Sequence, residues 1–237
     1  MQIDIGKLLK DSWEAFSRNI VFYILSCVLC LGVSFAVIPF CFVAFEKDSP
    51  YSDFATPFLT IALLVVYIMV LIYALGVKNC ALISAKGGNA GWKNLFLSFT
   101  VYFKLFLAWL LVYVAIFVGS SFCMLPGLVL LFLMQFVTLC IYDDPDKSII
   151  DAMKESVNLC YNNFLTTVVC SFVIWIIASV SVFTIIGIFV ALPFQEVALA
   201  TLYVKLKELE DNRNNAVPPA FNPNYPAPPE FYGQNNG

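Results

Sequence analysis

Charged residues are few and grouped along this chain, and the stretches between the groups are apolar over lengths that suit hydrocarbon. Uncharged runs cover residues 20–45, 54–77, 105–142 and, with Glu196 as the one exception, 156–204. A helix crossing a bilayer needs about 20 apolar residues. The first two runs each suit one crossing. The third, 38 residues long, is too long for one tilted helix and sufficient for a tight hairpin. Gly119-Ser120-Ser121 and Pro126-Gly127 are the breakers near its middle. The fourth run begins amphipathically and, from Phe164, holds two crossings with a turn near residues 179–184. The pattern therefore predicts an all-α fold: a six-transmembrane-helix bundle in three hairpins. Its spans fall at about 20–45, 54–77, 102–119, 124–142, 164–180 and 184–204.

Two segments outside the spans repeat every 3.6 residues. At 100° per residue, residues 4–18 place Leu8, Leu9, Ser12, Trp13, Ala15 and Phe16 on one face. Asp4, Lys7, Lys10, Asp11, Glu14 and Arg18 fall opposite. A helix so divided, with tryptophan at the boundary, suits the headgroup plane, with Trp13 and Phe16 inserted. Residues 148–161 repeat the design, with Ile149, Met153, Val157 and Cys160 opposite Asp151, Lys154, Glu155 and Asn158. Ser148-x-x-Asp151 supplies a capping box at its start. Lys10-Asp11-Ser12 and Asn19 match Lys154-Glu155-Ser156 and Asn163 at one constant offset. A weaker third version, Trp92, Leu95, Phe96, Phe99 and Phe103, lies between spans two and three, with Trp92 at the interface. The chain thus reads as three units, each an amphipathic helix followed by a hairpin.

Composition agrees and narrows the function. Of 237 residues, 61% are hydrophobic and 12% charged, against about 45–50% and 25% in soluble domains. A soluble enzyme and a disordered chain are thereby excluded. Thirteen basic against sixteen acidic residues leave no basic surface for nucleic acid. The absence of histidine removes imidazole as proton shuttle or metal ligand. Neither a cofactor nor a metal is expected.

Orientation follows from the basic residues. Lys7, Lys10, Arg18, Lys78, Lys86, Lys93, Lys104, Lys147, Lys154, Lys205, Lys207 and Arg213 share one side in a six-span arrangement, and Lys47 alone falls on the other. Both termini are expected in the cytoplasm, with Lys86 inside and Lys47 outside. The protein is expected to be a multi-pass protein of the cell (inner or plasma) membrane. Residues 1–19 carry acids as well as bases, and the apolar run that follows exceeds a signal peptide's core. The first span is therefore expected to be retained. Residues 211–237 hold six of the twelve prolines and seven asparagines, a composition that predicts a disordered cytoplasmic tail. Its Phe221, Tyr225, Phe231 and Tyr232 are candidate contacts for a protein partner.

Within the spans, Glu196 lies nine residues before Lys205, roughly 13 Å inside that end at 1.5 Å per residue. Ionisable groups at such depth are costly and often functional. Gln135 sits at similar depth, and the two form a candidate binding site. The plainer reading gives Glu196 a packing role, its carboxyl hydrogen-bonded to Gln135 or to backbone. Pro193 beside it is expected to kink the last span. Cys27-x-x-Cys30 has redox spacing but lies inside the first span, where the thiols act as small packing groups. Asp143-Asp144-Pro145-Asp146 reads as a solvated turn rather than a cation site. Gly87-Gly88-Asn89-Ala90-Gly91 lacks the Lys-Ser/Thr ending of a phosphate loop.

Several of these residues also carry a family resemblance. The opening Ile5-Gly6-x-x-Leu9-x-x-Ser12-Trp13-x-x-Phe16-x-x-Asn19 is one element of it. Leu125-Pro126-Gly127 with Asp143-Asp144 and residues 148–156 is a second. Ala191-Leu192-Pro193-Phe194 with Thr201-Leu202-Tyr203 is a third. Over residues 1–207 the chain resembles the membrane domain fused to some glycerophosphodiester phosphodiesterases and its stand-alone, uncharacterised relatives. The resemblance implies six helices with cytoplasmic amphipathic segments. It implies no chemistry, because the phosphodiesterase of the fused proteins is a separate soluble domain, and no catalytic residue carries over. The sequence thus points to a non-enzymatic membrane protein working on membrane lipids, envelope organisation or partner assembly. A small transporter using Gln135 and Glu196 is the alternative.

Overall fold

The computed structural model describes residues 3–45, 52–122, 124–182 and 185–216. The expected outer turn carrying Lys47 and the four tail aromatics lie outside them. Among the described residues all regular structure is helical. The helices are α1 (Ile5–Arg18), α2 (Ile20–Phe45), α3 (Ser52–Ala85), α4 (Trp92–Leu95), α5 (Phe99–Phe122), α6 (Met124–Leu133), α7 (Val137–Asp143), α8 (Ile149–Asn162), α9 (Phe164–Val182) and α10 (Ile185–Ala216).

Four stretches are long and apolar enough to cross a membrane: Thr60–Ala85, Phe99–Ser121, Phe164–Ser181 and Phe189–Arg213. A fifth arises if Ile5–Arg18 and Ile20–Ser34, bent by 74° at their junction, count together. The fourth expected span is not continuous. A turn at residues 134–136 separates α6 from α7, and the apolar stretch across it, Gly127–Asp143, is shorter than the four crossings. Two sequence breakers also behave differently from expectation. Gly119-Ser120-Ser121 continue α5, and Pro126-Gly127 lie in the first turns of α6. Proline is accepted there because the first amides of a helix have no intrahelical acceptor. Gly127 instead permits close approach: a Cβ on it would stand 2.0 Å from Ser120 Oγ and 3.0 Å from Ser120 Cα. Small residues bring membrane helices together in this way. At the other end of the chain α10 continues to Ala216, so residues 211–216 are helical and the composition change at 211 does not end the helix.

Both amphipathic helices are capped, the second by the expected Ser148 and the first by Asp4. Asp4 accepts from Gly6 N at 2.8 Å, and Ser148 accepts from Asp151 N at 3.1 Å while donating to Asp151 Oδ2 at 2.6 Å. They also bury the same register. Leu8, Ser12, Ala15 and Phe16 of α1 correspond, at one constant offset, to Ala152, Ser156, Leu159 and Cys160 of α8, and all eight are buried. Each ends on an asparagine of similar conformation, Asn19 (φ −119°, ψ 21°) and Asn163 (φ −130°, ψ 36°). The third version is reduced to the single turn α4.

The bundle is packed mainly toward one end. Tyr23, Leu105, Phe136, Ile141, Leu159, Leu202, Tyr203 and Leu206 are fully buried there. Away from that end apolar side chains are widely exposed, as Phe106, Trp109, Tyr113 and Phe117 are along α5. Such surface is unfavourable in water and neutral in hydrocarbon.

Candidate functional site

The broken segment positions the first set of candidate residues. The turn at 134–136 takes backbone groups out of the helical ladder, and a buried polar group without a partner is costly. Met134 N reaches Leu130 O at 2.9 Å and Val137 N reaches Met134 O at 3.3 Å. Ser156 of α8 serves the rest. Its hydroxyl donates to Leu133 O at 2.8 Å and accepts from Phe136 N at 3.3 Å, with the residue fully buried. One side chain therefore joins both ends of the break to the neighbouring helix.

The same turn places Gln135 against α9. Gln135 Oε1 accepts from Ser171 Oγ at 3.2 Å. Its Nε2, and Thr167 Oγ1 one turn before Ser171, are buried without a hydrogen-bond partner. Glu196 sits elsewhere. It is half-buried on α10 and acts electrostatically on the Tyr142 phenol of α7, whose hydroxyl donates to Leu75 O at 2.6 Å. Among the described residues no hydrogen bond or ion pair joins Gln135 and Glu196. Pro193, inside α10, is buried. It precedes Phe194, whose ring meets Phe16 at 5.8 Å.

The second set is a layer of ion pairs at the packed end. Asp143, whose side chain is 9% exposed, takes Lys86, just past the end of α3, on one oxygen and Lys207 of α10 on the other. Tyr203 also donates to it at 3.3 Å. Burial pushes this carboxyl up, and the hydrogen bonds and charges of Lys207 and Lys86 outweigh that and hold it below its usual range. Lys207 reaches Glu155 at 3.4 Å, and Glu155 pairs with Lys147 at 2.6 Å. The Glu155 hydrogen bond holds the Lys147 ammonium above its usual range. Asp11, the counterpart of Glu155 in α1, pairs with Lys205 at 2.5 Å. Arg18 donates to Gly87 O at 2.7 Å, and Lys104 to Pro145 O at 2.5 Å. Asn158 donates to Glu210 at 3.2 Å. The acidic run is a solvated turn only in part. Asp144 accepts from Asp146 N at 3.2 Å within the turn, whereas Asp143 is half-buried and held between two lysines. Among the described residues no group of three or more His, Cys, Asp or Glu is placed to hold a metal.

The expected interface residues divide. Trp13 is 52% and Trp92 42% exposed. Phe16 is fully buried, stacked on Tyr23 at 5.5 Å and edge-on to Phe194. Its place on the apolar face of α1 is as expected, and its insertion into lipid is not: protein covers that face, because α1 folds back by 74° onto α10. Cys27 is buried and Cys30 half-buried, both as free thiols.

Sequence reading missed Ser156 as the residue that closes the break. The available signal was a small hydroxyl residue on the apolar face of both amphipathic helices. It also missed Asp143 as a paired group, since nothing local in the sequence brings Lys86 and Lys207 to it. Comparison with protein-family models, with curated proteins and with solved structures finds no match.

Proposed function

We propose that this chain is a non-enzymatic, six-span membrane protein with both termini in the cytoplasm, acting on bilayer organisation or on assembly with a partner. The observation that carries the reading is the ion-pair layer. It gathers α1, the end of α3, the α7–α8 turn and α10, through Asp11–Lys205, Lys86–Asp143–Lys207 and Lys207–Glu155–Lys147. Segments that touch lie at one end of the bundle, so each is separated from the next by an even number of passes. Three hairpins satisfy this, with α6 and α7 together forming the fourth pass. The basic residues of these segments then face the cytoplasm. The resemblance to the phosphodiesterase-associated membrane domain supports the same arrangement.

A second reading, a small transporter, is favoured by one observation. A helix interrupted at Gln135, whose Nε2 is buried without a hydrogen-bond partner among the described residues, is the kind of site at which transporters bind polar solutes. Glu196 separates the two readings. On the first, Glu196→Gln keeps shape and polarity, and abundance and cellular phenotype stay near wild type. Complementation of a deletion strain with a matched immunoblot checks this. Loss of function at full abundance would replace the first reading by the second. Lipid analysis of the deletion strain tests the role itself: the proposal expects altered membrane lipid composition, and an unchanged profile counts against a role in lipid organisation.

A further inference from the structure

A crevice of about 310 Å³ runs between α2 and α3 and is closed at one end by α4. It is lined by Leu29 and Val33 of α2, Met69 and Val70 of α3, Trp92 of α4 and Phe96 just after it. The volume lies at the lower end of the ~300–1,000 Å³ typical of ligand sites. The crevice exists because α4 crosses directly over Gly76, where a Cβ would stand 2.1 Å from the Leu95 carbonyl oxygen. The crossing sets the turn of α4 across the space between the two long helices.

The chemistry of the lining is one-sided. Its polar groups are already satisfied: Ser26 donates to Tyr23 O at 3.0 Å and Ser34 to Cys30 O at 2.8 Å. The Tyr73 hydroxyl is engaged by Ser26 and Cys27. The interior therefore asks for hydrocarbon and for no hydrogen bond. The α4 end is different. Among the described residues the Trp92 indole has no hydrogen-bond partner, and Lys93, exposed on the next position, has no ion pair. Lys78, beside the 2.8 Å bond from Asn79 to Asn94 O, is likewise without an ion pair among the described residues. This is also the end of α3 that carries the ion-pair layer.

Shape selects among apolar occupants. From Ser26 to Ser34 the crevice follows α2 for about 12 Å at 1.5 Å per residue. A cleft of this length with an apolar lining suits a polymethylene chain.

We propose that this crevice is a binding site for one anionic phospholipid. An acyl chain lies between α2 and α3, and the phosphate meets Lys93 and the Trp92 indole, with Lys78 nearby. The site deepens the proposed role in bilayer organisation by naming the lipid class, and it rests on that reading only for the membrane setting.

The test uses the full chain reconstituted in vesicles of phosphatidylethanolamine and phosphatidylglycerol. A trace of phosphatidylglycerol carries a photoactivatable group in its acyl chain, and crosslinks are mapped by peptide mass spectrometry. The expected result is labelling of residues 26–34 and 66–73 about fivefold above the exposed face of α5, competed by phosphatidylglycerol and not by phosphatidylethanolamine. That ratio corresponds to the ~1 kcal/mol that one lysine contributes near an anionic surface. Cys30→Phe, which fills the crevice, removes the excess. Lys93→Glu, an exposed change that leaves packing intact, removes the preference for the anionic lipid. Equal labelling of crevice and α5 means annular lipid only and overturns the proposal. So does an excess that survives both variants, or crosslinking of the crevice to a second copy. None of these outcomes depends on Glu196, so loss of function in Glu196→Gln at full abundance would overturn the broader reading while leaving the lipid site to its own result.

Discussion

Asp143→Asn lowers the stability of the purified protein by about 1–2 kcal/mol at neutral pH. Hydrogen bonds to charged groups contribute about 1.5–3 kcal/mol, and the figure is reduced here because Lys86 and Lys207 are 49% and 34% exposed. The substitution leaves two ammonium groups facing each other with no anion between them. It also releases the end of α7 from α3 and α10 together. Thermal unfolding followed with a thiol-reactive dye measures the loss, since the thiols of Cys80, Cys140 and Cys160 are buried in the native packing. Unchanged stability would mean that the layer is a surface ornament. The pH dependence has a definite sign. The folded carboxyl of Asp143 is depressed, so its contribution is complete above the unfolded value of about 3.9. It disappears as pH falls through the lower folded value. The difference between wild type and Asp143→Asn therefore shrinks in acid and is constant above about pH 5 into the neutral range.

Ser156→Val costs about 2–3 kcal/mol, the other large effect. Valine removes the hydroxyl that serves Leu133 O and Phe136 N and is one heavy atom larger than serine, so Ser156→Thr, which has valine's shape, is its volume-matched control. A buried polar group left without a partner costs about 1–3 kcal/mol, and here two are affected in a fully buried setting. Ser156→Thr retains the hydroxyl and is expected to recover part of the loss. The counterpart change Ser12→Val is milder. Ser12 donates only to Leu8 O, one turn back at 2.7 Å, and that carbonyl lies inside a regular helix. The same unfolding assay compares the three variants. Equal losses at the two positions would show that Ser156 is not what secures the break.

Much of this architecture is legible in the sequence for physical reasons. The edges of the apolar runs follow from the cost of placing charge in hydrocarbon. The amphipathic helices announce themselves through their period, and the second also through its cap at Ser148. What stays hidden depends on partners distant in the chain. The break at 134–136 carries no glycine, proline or charge: Met134-Gln135-Phe136 sit comfortably in a helix, and the interruption depends on Ser156 arriving from α8. Asp143 has the local context of a turn and is held by Lys86 and Lys207, far away on either side. Phe16 shows the limit of an amphipathic pattern, which identifies an apolar face and does not say whether lipid or protein covers it. Gln135 and Glu196 have similar depth in the sequence, but depth does not fix azimuth, and the packing brings Gln135 to Ser171 of α9 with no hydrogen bond or ion pair to Glu196 among the described residues.

The central claim is that α1, the end of α3, the α7–α8 turn and α10 share one side of a membrane, with the turn near Lys47 on the other. Single-cysteine labelling with an impermeant thiol reagent tests it most directly, using Lys7→Cys, Lys47→Cys, Lys93→Cys and Arg213→Cys in intact cells and again after permeabilisation. The account predicts labelling of position 47 alone in intact cells and of positions 7, 93 and 213 only once the membrane is opened. Labelling of 93 or 213 in intact cells, or protection of 47 together with the other three, would contradict it.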